Sequence, residues 1–137
     1  MREIIFRGKS PITKEWIYGD LFQHGEQRFI MTGGHNIEVD PESVGQFTGT
    51  LDCYERKIYE GDILRYITDY DGLDGFARTV CARVVVVWNP EILGFACRII
   101  GDDSGDFYSW LEMRENDDIK IIGNIYDKPR AVRGWDT

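Results

Sequence analysis

The strongest constraint on the fold is a run of strand-forming residues, ARTVCARVVVVW, at positions 77–88. Successive side chains of an extended strand alternate between its two faces. Because apolar residues would occupy both faces, this run predicts a central strand that is covered on each side for part of its length. One face would carry Val80, Ala82, Val84, Val86 and Trp88, and the other Cys81, Arg83, Val85 and Val87.

Shorter strand-like runs fill most of the remaining chain, and glycine, proline and aspartate separate them. They lie at residues 2–8, 15–22, 27–32, 45–49, 63–70, 94–100, 106–110 and 118–126. Gly19 interrupts the second run and predicts a bulge there, and residues 111–116 predict a short helix. No long segment has helical periodicity. The sequence therefore predicts a single mainly β domain over residues 1–137, a small closed or nearly closed β-barrel with short turns and little helix.

The segment VGQFTGTLDCYERKIYEGDILRY, at positions 44–66, combines two glycine-bearing turns with strand-like residues at both ends. Gly61 stands where a tight turn needs a positive φ, and Asp62 can accept a hydrogen bond from a nearby backbone N–H. Pro41, just before the segment, suits the first position of a 3₁₀ turn. The segment is therefore interpreted as framework, a turn–strand–turn–strand unit at a barrel corner.

Charge is unevenly distributed along the chain. The net charge is -8, and residues 62–118 alone hold five basic and twelve acidic residues. Phosphate backbones are bound by clustered Lys and Arg, so this balance makes a nucleic-acid partner unlikely. An acidic surface favours solubility and attracts basic partners.

The N-terminal residues include early charges and lack the apolar segment of a signal peptide. The longest apolar run, residues 84–88, is far too short to span a bilayer. These features predict a soluble, cytoplasmic protein without a membrane partner. Cys53, Cys81 and Cys97 have no paired spacing, which predicts buried free thiols and no disulfide framework.

The chain offers few residues for catalysis. Cys53 or Cys81 could pair with His24 or His35, but nothing around them resembles a nucleophile motif. Glu60 and Asp62 could form a carboxylate pair, although Asp62 is better explained as a local cap at a strand entry. The sequence DYDGLDG, residues 69–75, fails as a calcium loop because Leu73 and Val80 occupy ligand positions. No catalytic, cofactor-binding or metal-binding residue, and no cofactor, is predicted.

Aromatic residues leave one alternative open. They could stack on bases, as in small barrels that bind nucleic acid, or they could form core and cross-strand pairs, which the charge balance favours. The basic tail, with Arg130, Arg133 and Trp135, is a weak exception to the acidic balance. The aromatics in question are Tyr54, Tyr59, Tyr66, Tyr70, Phe107, Tyr108 and Trp110.

Three ordered blocks resemble the YopX family of phage and prophage proteins. They are REIIFRGKSPITKEWIYGDL at the N-terminus, VDPESVGQFTG with KIYEGDILRY in the middle, and IKIIGNIYDKP near the end. The sequence departs from the family in LDCYERK, where relatives tend to carry a Lys/Asp/Asn/Gly-rich hairpin turn, and in the acidic DYDGLDG. The resemblance implies a mostly β fold and a mobile-element origin, and it implies no activity.

We therefore expect a non-catalytic, protein-binding accessory module of a phage or prophage. The alternatives are a nucleic-acid-binding barrel and an uncharacterised enzyme. A protein partner or self-association is expected through an aromatic patch bordered by the acidic sequences DYDGLDG and GDDSGD, in which Asp71 and Asp103 would tune the salt dependence.

Overall fold

Strands account for nearly all the regular structure of the described residues. A computed structural model describes residues 3–71, 74–100, 107–109 and 119–127, and for residues 66–71, 77–81 and 107–109 it describes the backbone alone. The elements are β1 Phe6–Lys9, β2 Trp16–His24, β3 Gln27–Thr32, β4 His35–Val39, a 3₁₀ turn Pro41–Ser43, β5 Gly45–Leu51, β6 Lys57–Tyr59, β7 Asp62–Asp71, β8 Ala77–Asn89, β9 Gly94–Ile99, β10 Phe107–Ser109 and β11 Lys120–Asn124.

The strands form two antiparallel sheets. The first has the order β4-β3-β2-β1-β5-β6 and the second the order β10-β9-β8-β7-β11. The prediction of a mainly β fold with little helix is confirmed. Within the described residues neither order returns to its first strand, so the finer prediction of a barrel stays a prediction. None of the helical structure in the described ranges has the length and apolarity needed to cross a membrane.

The chain forms two compact units, unit 1 at residues 1–49 and unit 2 at residues 50–137. Strand β5 begins in unit 1 and ends in unit 2. A single domain built from both units stays a prediction. The predicted helix at 111–116 and the acidic sequence GDDSGD, residues 101–106, lie outside the described residues.

In unit 1 the long strand β2 pairs with two neighbouring strands. The first half of β2 pairs with β1, and the second half pairs with β3. Gly19 lies where the pairing changes, and its register with Phe6 is continuous, so the predicted bulge was wrong. A Cβ at Gly19 would lie 2.2 Å from the carbonyl oxygen of Met31. This glycine therefore allows a close backbone approach.

Strand β4 was missed by the sequence reasoning, which ended the third run at the Gly-Gly pair. Gly33 and Gly34 have φ values of 56° and 79°, and Thr32 is in register with His35. Two glycines at positive φ form the favoured two-residue hairpin turn. The predicted 3₁₀ turn is confirmed, because Pro41 begins it and Asp40 accepts a hydrogen bond from the Glu42 N–H at 3.1 Å.

In unit 2 the predicted central strand is confirmed, because β8 lies in the middle of its sheet. Val84 and Val86 are buried on one face, whereas Val85 and Val87 on the other are only partly buried. A strand covered on both sides for part of its length was expected from the apolar pattern. The apolar core of unit 2 contains Ile58, Leu64, Val84, Val86, Cys97 and Ile119.

The turn between β5 and β6 is fastened to β11 by one buried carboxylate. Asp52 accepts hydrogen bonds from the Tyr54 N–H at 2.9 Å, the Arg56 N–H at 2.9 Å and the Ile121 N–H at 3.1 Å. The Arg56 guanidinium lies 2.7 Å from the same carboxylate and donates to the Ile121 carbonyl oxygen, also at 2.7 Å. Burial alone would raise the pKa of Asp52, but these hydrogen bonds outweigh it and lower the pKa.

The second predicted turn is built as expected. Gly61 has a φ of 91°, and the Asp62 carboxylate accepts the Tyr59 N–H at 2.7 Å in a fully buried position. A Cβ at Gly61 would lie 2.7 Å from the ring of Tyr126. Glycine is therefore required at position 61 for two reasons, the positive φ of the backbone and the close packing of the Tyr126 ring.

Replacing Gly19 by alanine tests the close approach of β2 and β3. The added methyl would meet a backbone oxygen that cannot move independently, so Gly19→Ala should lower the free energy of unfolding by about 2–3 kcal/mol. Gly94→Ala is the matched control at another strand glycine, because the nearest neighbour of its added methyl would be the Ile92 carbonyl oxygen at 3.9 Å. Urea denaturation followed by circular dichroism measures both variants, and equal effects would contradict the steric explanation.

Replacing Asp52 by asparagine tests the carboxylate. Because the pKa of Asp52 is lowered by folding, its contribution to stability is complete above the ordinary Asp pKa of about 3.9. That contribution is lost as the pH falls through the lower pKa of the folded state. At neutral pH, Asp52→Asn should lower the free energy of unfolding by about 2 kcal/mol, and the difference from wild type should shrink below about pH 4.

The control for this experiment is Asp74→Asn, which changes an exposed turn aspartate. It should change the free energy of unfolding by less than about 0.5 kcal/mol at neutral pH. Urea denaturation across a pH series measures both variants. A constant difference between wild type and Asp52→Asn down to the lowest pH would contradict the role of the charged form.

Candidate functional site

The residues proposed for thiol chemistry are distributed over both units. His24 and His35 are exposed on strands of unit 1, whereas Cys53 and Cys81 belong to unit 2. The prediction of buried thiols is confirmed for Cys97, and burial raises its pKa to about 12. It was wrong for Cys53, which lies exposed in the β5–β6 turn. The side chain of Cys81 lies outside the described residues.

Two of the acidic residues singled out in the sequence, Asp62 and Asp74, accept hydrogen bonds from the backbone. Asp62 is buried and bonded to the Tyr59 N–H, which confirms the local cap. At the β7–β8 hairpin, Asp74 accepts a hydrogen bond from the Phe76 N–H at 3.1 Å. Across the described ranges no group of three or more His, Cys, Asp or Glu side chains is placed to hold a metal ion.

The aromatic residues divide between surface and interior. Tyr59 is buried, as a core residue would be, whereas Tyr54 is 63% exposed in the β5–β6 turn. The other five aromatics of that set have side chains outside the described residues. The same holds for the loop at 101–106 and for the tail arginines. An aromatic patch bordered by the two acidic loops therefore stays a prediction.

The β8–β9 hairpin presents apolar side chains that the sequence reasoning did not single out. Asn89 is in register with Gly94, so the loop consists of residues 90–93. The side chain of Asn89 is buried and accepts the Glu91 N–H at 3.0 Å, which fixes the start of the loop. Leu93, at its end, has a φ of 53°. This left-handed conformation is rare for a bulky side chain and normally favours glycine.

The strained loop carries the exposed apolar surface of the hairpin. Ile92 is 60% exposed and Leu93 76% exposed. Next to them Trp88 is 45% exposed and packs its ring edge-to-face on Phe95, with ring centroids 5.5 Å apart. We call Trp88, Ile92 and Leu93 the hairpin tip. The aromatic pair holds the base of the tip in place, so its aliphatic side chains project from a rigid support.

An arrangement of this kind can anchor a protein interface. Interfaces take most of their binding free energy from a few aromatic and aliphatic side chains that are buried on contact. Glu91 adds an exposed negative charge to the tip. The signal was present in the sequence NPEILG, where proline marks a turn that nevertheless contains two large aliphatic residues.

Replacing Leu93 by glycine tests the strain. Because the Leu93 side chain buries little area and its backbone is left-handed, Leu93→Gly should raise the free energy of unfolding by about 0.5–1 kcal/mol. Ile92→Gly is the control, since Ile92 is exposed in the same loop without a positive φ. It should lower the free energy by about 0.5–1 kcal/mol. Thermal denaturation measures both, and two losses of equal size would contradict strain at Leu93.

Comparison with known proteins gives the family of the chain. The family model described as YopX protein matches residues 5–132, a range that contains every strand from β1 to β11. No curated protein matches the sequence. The match covers far more than half of the chain, and it includes the first block of the sequence resemblance from residue 5 onward and the other two blocks in full. The chain belongs to the YopX family.

Proposed function

We propose that the protein is a non-catalytic, protein-binding accessory module that docks through the hairpin tip. The observation that supports this proposal is Leu93, a large aliphatic residue held exposed in a backbone conformation that glycine would adopt at lower free energy. Strain retained at an exposed position is typical of functional sites. In the isolated protein the Ile92 and Leu93 side chains remain exposed to water. Their burial against a partner would supply binding free energy.

The chemistry of the tip defines the partner. Two aliphatic side chains and the half-exposed Trp88 suit an apolar groove on another protein. In the chain, Glu91 lies between the buried Asn89 and the exposed Ile92. A basic residue at the rim of the groove would complement the negative charge of Glu91. The partner is therefore a basic protein with an apolar groove, and self-association is the second possibility that the experiment resolves.

The proposal places this module in a phage or prophage, in agreement with the mobile-element origin that the family resemblance implies. It also places the protein in the cytoplasm of a bacterial cell. Closure of the strands into a small barrel is part of the same proposal, because a closed barrel would leave the hairpin tips as the principal places for contact.

Site-specific photocrosslinking tests the docking surface. A photoreactive benzoylphenylalanine at position 92 should give a crosslinked protein product in cells in which the phage or prophage genes are expressed. The matched control carries the same amino acid at position 12, because Ile12 is an even more exposed isoleucine, at 89%, in unit 1. The product should require position 92 and should decrease severalfold when Trp88→Ala is added.

The mass of the product separates the outcomes. A heterologous product that contains a basic protein supports the proposal, and a product of twice the protein's own mass assigns the tip to self-association. Equal products from positions 12 and 92, or none from either, would overturn docking through the hairpin tip. Leu93→Gly provides a second measurement, since it should weaken the crosslink while the fold becomes more stable.

A further inference from the structure

Four cations that are distant in the sequence meet on one face of the second sheet. Lys120 of β11 is in register with Arg65 of β7, and Arg65 is in register with Arg83 of β8. Arg98 of β9 is in register with Val85, two residues from Arg83 and therefore on the same face. Arg83 and Arg98 are exposed, and Arg65 and Lys120 are partly buried. We call these four residues the cationic row.

The row gathers positive charge within an acidic region of the sequence. Residues 62–118 contain five basic and twelve acidic residues, and the row gathers three of those five on one face. Lys120, from the following segment, extends it by one strand. The total charge of the chain therefore does not describe this face, where the sheet register places positive groups on four successive strands.

Placing like charges in neighbouring register positions destabilises a sheet. Directly opposite residues on one face have Cβ atoms about 5 Å apart, so the Lys120–Arg65 and Arg65–Arg83 pairs are both repulsive. The Arg65 Nε is also buried and makes no hydrogen bond within the described part of the chain. An anionic ligand lying along the row would relieve the repulsion and supply acceptors.

An exposed aromatic ring stands at one end of the row. The Lys120 ammonium lies 5.5 Å from the centroid of the Tyr54 ring, and the Arg56 guanidinium also lies 5.5 Å from it. Because the Asp52 carboxylate accepts the Tyr54 N–H and binds Arg56, it fixes the turn that carries the ring. Both cations thus lie over the ring, and 63% of the residue remains exposed to solvent.

We propose that the cationic row and Tyr54 together bind single-stranded nucleic acid. Cations that follow the phosphate backbone and an exposed aromatic ring on which a base stacks are the two components of such sites. An acidic protein segment would use the cations alone, and the base pairs of a duplex cannot stack on Tyr54 without unpairing. The ring beside the row therefore favours a single strand over both.

Fluorescence anisotropy with labelled oligothymidylate tests the proposal with the full chain. At low salt the wild-type protein should bind, and the dissociation constant should rise steeply with added salt. The double variant Arg83→Gln/Lys120→Gln should raise the dissociation constant at least about tenfold. It should also reduce the slope of log Kd plotted against log salt concentration by about 1.4, since two cations are removed. The control is Lys14→Gln, which removes an exposed cation of unit 1. It should leave both the dissociation constant and the slope nearly unchanged.

The ring is tested by a conservative pair of variants. Tyr54→Ala should raise the dissociation constant about tenfold, and Tyr54→Phe should bind like wild type because it keeps the stacking surface. Circular dichroism and thermal denaturation of each variant verify folding, and all these positions are at least partly exposed.

Three results would overturn the proposal. One is the absence of an anisotropy change for the wild type at low salt, where phosphate attraction is strongest. Another is equal binding by the wild type, the double variant and Tyr54→Ala. The last is stronger competition by a DNA duplex or by a polyglutamate peptide than by unlabelled oligothymidylate, which would assign the row to duplexes or to acidic proteins. None of these results bears on docking through the hairpin tip.

Discussion

The buried Asp52 carboxylate joins parts of unit 2 that are almost seventy positions apart in the sequence. Its two oxygens accept backbone N–H groups from its own turn and from Ile121 of β11, so one side chain defines the turn and its attachment to the sheet. Arg56 neutralises the charge and adds a bond to the Ile121 carbonyl oxygen. Without this carboxylate, three partly buried backbone donors would lose their acceptor, which is more costly than the loss of an ordinary surface ion pair.

The elements that follow from local chemistry were predictable from the sequence. Alternating apolar residues located β8, and the glycine and aspartate at positions 61 and 62 predicted both the positive φ and the cap. Two local signals were misread. Gly19 was taken as a bulge, although its role is to admit the Met31 backbone, and the Gly-Gly turn before β4 was taken as an end. A glycine is compatible with each of these local structures. The position of the neighbouring strand decides which of them forms.

The features that sequence reasoning could not reach depend on register. Arg65, Arg83 and Lys120 are separated by long stretches of sequence, and no local pattern brings them together. The role of Asp52 has no local signal either, because its partner Ile121 lies 69 positions further along the chain. The hairpin tip differs from these features because its turn and its aliphatic residues are adjacent in the sequence. The positive φ of Leu93, however, is a property of the folded loop.

Cys97 and Cys53 have a consequence for measuring the dynamics of unit 2. Thiol reagents react with the thiolate, and burial of Cys97 both excludes reagent and raises its pKa to about 12. Cys53 is exposed and should react in the native state, whereas Cys97 can react only when the core around it opens. In a chain that carries alanine at position 81, the modification rate of the slow thiol would give the opening free energy of this core. The protein thus contains a natural probe of its own local unfolding, without any introduced label.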